Sequence, residues 1–333
     1  MAIQQIPAKF FYTSTGNPAW HGLGNVIPDN ISGDLDKVLE FTGLDYDILK
    51  INKVNHFTGK TIPGEYELYN GNTHVYYGTC KSGYTPVNNK KALSFIHELM
   101  KDNNIVIDSI AEWPNGYVAV NYKLFETEVV RGDEHIAYLQ AFFGHDGLKA
   151  LNYFQSHTRM VCKNTVYKAM NTAEKAGHIL KMKHTKNVET RMVDSIGLIE
   201  AMRDEAMSFV DRLRLIANKT LTADQVRHVL NSIYGDPKVL KSGETKDNAR
   251  TIVENLFELN DGSNGISIIR GTGYNLLNAI TQYNTHDTRI NVHGNYNPDD
   301  RSKIEAGKRI LNQINSANKG DDVAKFFDII ATV

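Results

Sequence analysis

The chain has 333 residues, a net charge of −1 and 41% hydrophobic residues, enough apolar material for one large domain or two ordinary ones with buried cores. No segment approaches the roughly 18 consecutive apolar residues of a membrane span, and the first residues resemble no secretory signal, so we expect a cytoplasmic protein without a membrane partner. The two cysteines, Cys80 and Cys162, exclude a disulfide framework and argue against a thiolate metal site.

The first part of the chain changes character at residue 45. Residues 1–44 are rich in turn-forming residues, with one short helical pattern at 35–41, and are predicted to form an ordered N-terminal arm. From residue 45 the hydrophobic period is close to two, which is typical of strands. The predicted strands are 46–54, 66–69, 73–79, 105–110, 117–122, 136–143 and 150–155, with one helix at 90–101.

The strand at 117–122 shows this alternation clearly. Val118, Val120 and Tyr122 fall on one face, whereas Ala119 and Asn121 fall on the other. Such a pattern indicates a half-buried antiparallel strand.

After residue 155 the chain is predicted to be helical. The clearest helix spans 193–218, where apolar residues recur every three or four positions. Further helices are predicted at 222–233 (Thr222 as N-cap), 246–259, 273–284, 302–316 and 321–331.

Strands followed by helices indicate an α+β fold, with an antiparallel sheet and a helical C-terminal half. The predicted domains are the arm (1–44), a sheet core with a basic helix (45–191) and a helical region (192–333).

Residues 157–191, the basic segment, carry eight cations and two acids, a surplus of six positive charges in a nearly neutral chain. The segment follows an aromatic strand that contains Tyr153 and Phe154. Phosphate-attracting charge beside aromatic rings is the combination used in sequence-tolerant binding of single strands. A solvated helix face, balanced by acids on neighbouring elements, is the other interpretation.

Other chemistry finds little support in the sequence. Gly59-Lys60-Thr61 resembles the end of a phosphate-binding loop, but Val54 stands where the first glycine is required, and a hairpin turn is favoured. The twelve histidines show no metal-ligand spacing. We expect no metal, no cofactor and no catalytic constellation, and hence a protein that is not an enzyme.

Three blocks carry a resemblance: PAWHGLG at 18–24, TRMVCKNTVYKA at 158–169 and GTGYNLLNAITQY at 271–283. Their order resembles that of a phage- and plasmid-borne family of unknown function. The strand–strand–strand–helix core of that family is similar to the core of single-strand annealing recombinases of the Rad-fifty-two type, which work without ATP. The resemblance implies that Trp20, His21, Gly22, Gly24, Gly271 and Gly273 belong to family boxes, and the glycines are assigned to backbone geometry.

The resulting hypothesis is a phage or plasmid protein that binds and anneals single-stranded DNA in the bacterial cytoplasm. Its expected form is a homo-oligomer, a ring or a filament. Arg159, Lys163, Lys168 and Lys175 are predicted to contact phosphates. Tyr153 and Phe154 lie on opposite faces of a strand, so one of them is expected to face outward and stack on bases.

Two alternatives stay open. The chain could instead bind a host protein in an anti-defence or assembly role, which is favoured if the basic segment pairs with acids such as Glu200, Asp204 and Glu205. An enzyme such as a nuclease ranks below both, because acidic clusters with metal spacing are not apparent.

Overall fold

A computed structural model describes residues 9–13, 24–101, 106–157, 160, 163–175, 177–235, 249–259, 269–283 and 321–333. The chain divides into two compact units. Unit 1 comprises residues 1–126 and 136–206, and unit 2 comprises residues 127–135 and 207–333. These bounds differ from the divisions at 44/45 and 191/192 expected from the sequence.

The described residues form strands and helices in an α+β arrangement, as predicted. The strands are β1 (Lys9–Thr13), β2 (Asn25–Ile27), β3 (Ile48–Val54), β4 (Thr61–Asn70), β5 (Tyr76–Lys81), β6 (Ile107–Glu112), β7 (Tyr117–Val130), β8 (Asp133–Gly144), β9 (Leu151–Ser156) and β10 (Ile179–Met182). The helices are α1 (Leu35–Thr42), α2 (Asn89–Lys101), α3 (Lys163–Lys175), α4 (Val188–Asp194), α5 (Ile196–Ala217), α6 (Ala223–Tyr234), α7 (Ala249–Leu259), α8 (Gly273–Gln282) and α9 (Asp321–Ile330). Within these ranges, no helix is long and apolar enough to cross a membrane.

Seven strands form a large sheet in the order β10-β9-β8-β7-β6-β1-β2. Strand β1 pairs antiparallel with β6 and parallel with β2. Residues 9–13 and 25–27 of the predicted N-terminal arm are therefore strands of the large sheet, which the sequence pattern did not predict. The reason is that strand pairing satisfies the backbone groups of β1 and buries Phe11, which a local pattern five residues long does not reveal.

The two faces of the large sheet lie in different cores. Val118, Val120 and Tyr122 of β7 belong to the main core of unit 1, which also takes residues from α1, α2, α4 and the small sheet. Ala119 belongs to a second core, built with α3 on the opposite face. The alternation predicted for this strand is confirmed, but both of its faces are covered.

Strands β3, β4 and β5 form a small antiparallel sheet. The turn between β3 and β4 is fixed by Asn55, whose backbone N–H donates to the Lys60 carbonyl at 2.8 Å. Residues 59–61 therefore belong to a hairpin, as predicted, and not to a phosphate-binding loop.

The helices largely follow the amphipathic pattern. The helix predicted at 193–218 is interrupted at Ser195, between α4 and α5. Thr222 caps α6 in a reciprocal capping box with Gln225, as predicted. Strand β10 was missed, because its four residues become a strand only by pairing with β9. The helix predicted at 302–316 lies outside the described residues.

Candidate functional site

The basic segment forms helix α3, strand β10 and helix α4, so it is not a continuous helix. Helix α3 packs against the large sheet through Val166, Ala169, Met170 and Ala173, which are buried. Strand β10 then extends the sheet beside β9. The segment thus lies along one edge of the large sheet.

Met160, in the block at 158–169, is anchored to the sheet by the side-chain amide of Asn121. The side-chain nitrogen of Asn121 donates to the Met160 carbonyl at 3.0 Å, and the Met160 N–H donates to the Asn121 amide oxygen at 3.3 Å. Gln140 and Ser109, on the neighbouring strands, hold that amide at 2.7 and 2.6 Å. All four residues are buried, so this polar cluster fixes Met160 against the sheet.

Both acids of the basic segment are neutralised by lysines. Glu174 lies 2.5 Å from the Lys181 ammonium, and Glu189 lies 2.8 Å from the ammonium of Lys91 on α2. Because Lys91 comes from outside the segment, this pairing preserves the segment's surplus of positive charge. These ion pairs are exposed, and we ascribe little stabilisation to them.

The loop between β10 and α4 presents further positive charge. The Arg191 guanidinium donates to the Lys183 carbonyl at 2.6 Å and to the Thr185 hydroxyl at 2.8 Å, which braces the loop. Lys183 and Lys186 are exposed on it. No ion pair among the described residues joins this segment to Glu200 or Asp204.

The structure does not support the predicted stacking residues. Tyr153 and Phe154 do lie on opposite faces of β9, but neither side chain is exposed. The Tyr153 hydroxyl donates to the Ala92 carbonyl at 2.8 Å, and Phe154 packs in the core beneath α3. The expectation that one would face solvent was wrong, because α2 and α3 cover opposite faces of the sheet.

The other predicted phosphate contacts can be placed only in part. Lys163, Lys168 and Lys175 belong to α3, but their side chains lie outside the described part of the structure. Arg159 lies outside it altogether, as do Trp20, His21 and Gly22.

Three box glycines have backbone roles. A Cβ on Gly24, where φ is +125°, would lie 2.6 Å from the Phe10 carbonyl oxygen. The Gly271 carbonyl accepts from the Leu221 N–H, and the Gly273 N–H donates to the Lys219 carbonyl, both at 2.9 Å. The start of the block at 271–283 therefore connects the N-terminus of α8 to the residues that follow α5.

A buried network missed by the sequence analysis centres on Glu112, at the end of β6. Its Oε1 accepts hydrogen bonds from the hydroxyls of Tyr46 and Tyr77, the latter at 2.9 Å. Lys9 Nζ lies 3.5 Å from Oε2, and Asn70 donates to the Tyr77 hydroxyl at 2.9 Å. Burial and the Glu112 charge raise the pKa of both tyrosines, that of Tyr77 to about 12, so both remain hydrogen-bond donors.

His145 lies beside this network, with its ring centroid 5.9 Å from that of Tyr77. Its Nε2 lies 2.8 Å from Asn89 Oδ1, and the Asn89 nitrogen donates to the Leu44 carbonyl, so Nε2 carries the hydrogen. Within the described residues Nδ1 has no hydrogen-bond partner. Burial, together with His184 nearby, lowers the pKa of His145 to about 3, so the ring is neutral at physiological pH.

The loop that carries His145 touches the small sheet at backbone distance. A Cβ on Gly78 of β5 would lie 2.2 Å from the Asp146 carbonyl oxygen, and one on Gly147 would lie 2.2 Å from that of Thr79. Tyr117 donates to the Asp146 carboxylate at 2.7 Å. These contacts and the Glu112 network join the small sheet to the large one, so the role of the network is structural. The available signal was the GHDG sequence, with a glycine on each side of two polar residues.

The fold and site define a class: an α+β protein whose antiparallel sheet bears a basic helix–strand–helix segment along one edge. Within the described ranges, no group of three or more His, Cys, Asp or Glu residues is placed to hold a metal ion. The sequence model described as "Domain of unknown function (DUF932)" matches residues 77–314, and the chain therefore belongs to this family. That match contains the blocks at 158–169 and 271–283 and begins after the PAWHGLG box at 18–24. No curated protein and no solved structure matches the chain.

Proposed function

We propose that this protein binds single-stranded DNA and anneals complementary strands without ATP, as a homo-oligomeric ring or filament encoded by a phage or plasmid. The observation that carries the proposal is the charge of the basic segment. Both of its acids are paired with lysines, and one of these lysines, Lys91, comes from outside the segment. Lys183 and Lys186 remain exposed. Such a surface attracts phosphates, since each of its two carboxylates already has a lysine partner.

The order of elements supports the same function. Strands β7, β8 and β9 are consecutive neighbours in the sheet, and α3 follows directly and packs on one face. This strand–strand–strand–helix order is similar to the core of annealing recombinases of the Rad-fifty-two type. Annealing requires that strands be held extended with their bases accessible, which cations and aromatic surfaces achieve without catalytic groups.

A mobility-shift assay with single- and double-stranded oligonucleotides of about 50 nucleotides tests the proposal. The single strand should bind more tightly, and affinity should fall by orders of magnitude between about 50 and 200 mM salt. The double variant Lys183→Gln/Lys186→Gln should lower the salt slope by about 1.4, at about 0.7 per phosphate contact on a single strand. Arg227→Gln, an exposed cation of unit 2, is the matched control and should leave the slope unchanged.

Two further measurements separate annealing from simple binding. Complementary strands labelled with a fluorophore and a quencher should pair faster with the protein present and ATP absent. Light scattering should return several times the mass of one chain. If the wild-type protein fails to bind a single strand at about 50 mM salt, where phosphate contacts are strong, the proposal is rejected.

Binding to a host protein is the second candidate. The small sheet exposes Ile51 and Tyr76, at 48% and 52% of their surface, and isolated apolar residues of this kind can contribute to protein interfaces. This function would be favoured if the protein did not bind the oligonucleotides.

A further inference from the structure

Among the described residues, the most exposed large apolar side chain is that of Phe57, with 99% of its surface accessible. It lies in the turn between β3 and β4, which we call the tip turn (Asn55–Lys60). The family match begins at residue 77, so the tip turn lies outside the matched region. A turn between two strands does not by itself require an aromatic ring at this position.

The tip turn is well ordered by hydrogen bonds. The Asn55 side-chain oxygen accepts from the N–H groups of Phe57 at 2.9 Å and Thr58 at 3.1 Å. The Gly59 N–H donates to the Asn55 carbonyl at 2.9 Å, with a φ of +67° at the glycine. The backbone that bears Phe57 is therefore fixed before any ligand arrives, which reduces the entropy lost on binding.

The charge around Phe57 is positive. Residues 48–64 contain Lys50, Lys53, His56 and Lys60 and no Asp or Glu. Lys53 is paired with Glu65, and Lys50 donates to backbone carbonyls at 2.9 and 2.7 Å. His56 and Lys60, which flank Phe57 in the turn, are exposed.

We propose that Phe57 is a base-stacking residue for single-stranded nucleic acid, with Lys60 and His56 contacting the adjacent phosphates. This inference rests on the proposed function. A ring open on both faces can stack on a base that is itself unstacked, as in a single strand. The neighbours His56, Thr58 and Lys60 are polar or cationic, which suits a phosphate-linked ligand better than the apolar centre of a protein interface. The tip turn would thus supply the aromatic contact that buried Tyr153 and Phe154 do not.

The test uses the full chain and a fluorescein-labelled, mixed-sequence 40-nucleotide single strand in an anisotropy titration. Phe57→Ala and Phe57→Leu should each raise Kd about 5- to 150-fold, the range for loss of one base–aromatic stack. Phe57→Tyr should keep Kd within about threefold, because the ring is retained. Lys60→Gln should lower the salt slope by about 0.7. Leu148→Ala, which removes another exposed apolar side chain (87% accessible), is the matched control and should leave Kd unchanged.

The outcomes separate this inference from the proposed function. If the wild type binds the strand and Phe57→Ala binds equally well, the stacking role is overturned while the proposed function stands. If Phe57→Leu binds like the wild type, apolar insertion replaces stacking and the inference is again overturned. If the wild type binds no single strand, the proposed function fails and takes this inference with it. Thermal melting should be unchanged in every variant, because these side chains lie on the surface.

Discussion

Replacing Glu112 with alanine should lower the free energy of unfolding by about 3–5 kcal/mol. The carboxylate accepts hydrogen bonds from the hydroxyls of Tyr46 and Tyr77, and all three residues are buried. A hydrogen bond to a charged group contributes about 1.5–3 kcal/mol, and removing the acceptor leaves two buried hydroxyls without it. Two such hydrogen bonds are lost, which gives a total of about 3–5 kcal/mol.

The small sheet offers a matched control. On its outer face the Tyr69 hydroxyl donates to Glu67 at 2.8 Å, but both residues are only partly buried. Water can replace the lost carboxylate there, so Glu67→Ala should cost less than about 0.5 kcal/mol. Both variants remove tyrosine–glutamate hydrogen bonds, but Glu112 accepts from two buried tyrosines and Glu67 from one partly buried tyrosine.

Urea unfolding followed by tryptophan fluorescence measures the difference. Trp113 is buried next to Glu112 in unit 1, and a Trp20→Phe background leaves it as the single tryptophan of the chain. Glu112→Gln, which keeps an acceptor oxygen, should lose less than Glu112→Ala. If Glu112→Ala destabilised unit 1 no more than Glu67→Ala, the buried network would not hold the two sheets together and our assignment would be refuted.

Two further predictions concern the loop at 144–147. Burial lowers the pKa of His145 from 6.5 to about 3, so the unfolded chain binds a proton that the folded one rejects. The contribution of His145 to the free energy of unfolding is therefore fully present above about pH 6.5, and it falls by up to about 1.4 kcal/mol per pH unit down to about pH 3. Urea titrations at several pH values should show a flatter pH dependence for His145→Gln. An unchanged slope would exclude His145 as its source. Gly78→Ala should lower the free energy of unfolding by about 3 kcal/mol, because its methyl group would clash with the Asp146 carbonyl. Gly83 has open space around it, so Gly83→Ala should change the free energy of unfolding by less than about 0.5 kcal/mol. Equal effects of the two substitutions would contradict the close backbone contact.

The sequence predicted the features that depend on local periodicity. The alternation of Val118 and Val120 with Ala119 placed them on opposite faces of β7, because successive strand residues point to opposite sides. Thr222 signalled the start of α6, since a capping hydroxyl satisfies nearby N–H groups within a few residues. The tip turn was also recognisable, because its hydrogen bonds lie within residues 55–60.

Tertiary structure decided what lies beyond each strand and turn. Periodicity placed Tyr153 and Phe154 on opposite faces, but only the packing of α2 and α3 determined that both faces are covered. Strand β10 exists because β9 offers it a partner. The Glu112 network unites residues 46, 77 and 112, whose hydroxyls and carboxylate meet only after the sheets pack. Local patterns determine which way a side chain points, whereas burial and polar partnership depend on chain segments distant in sequence.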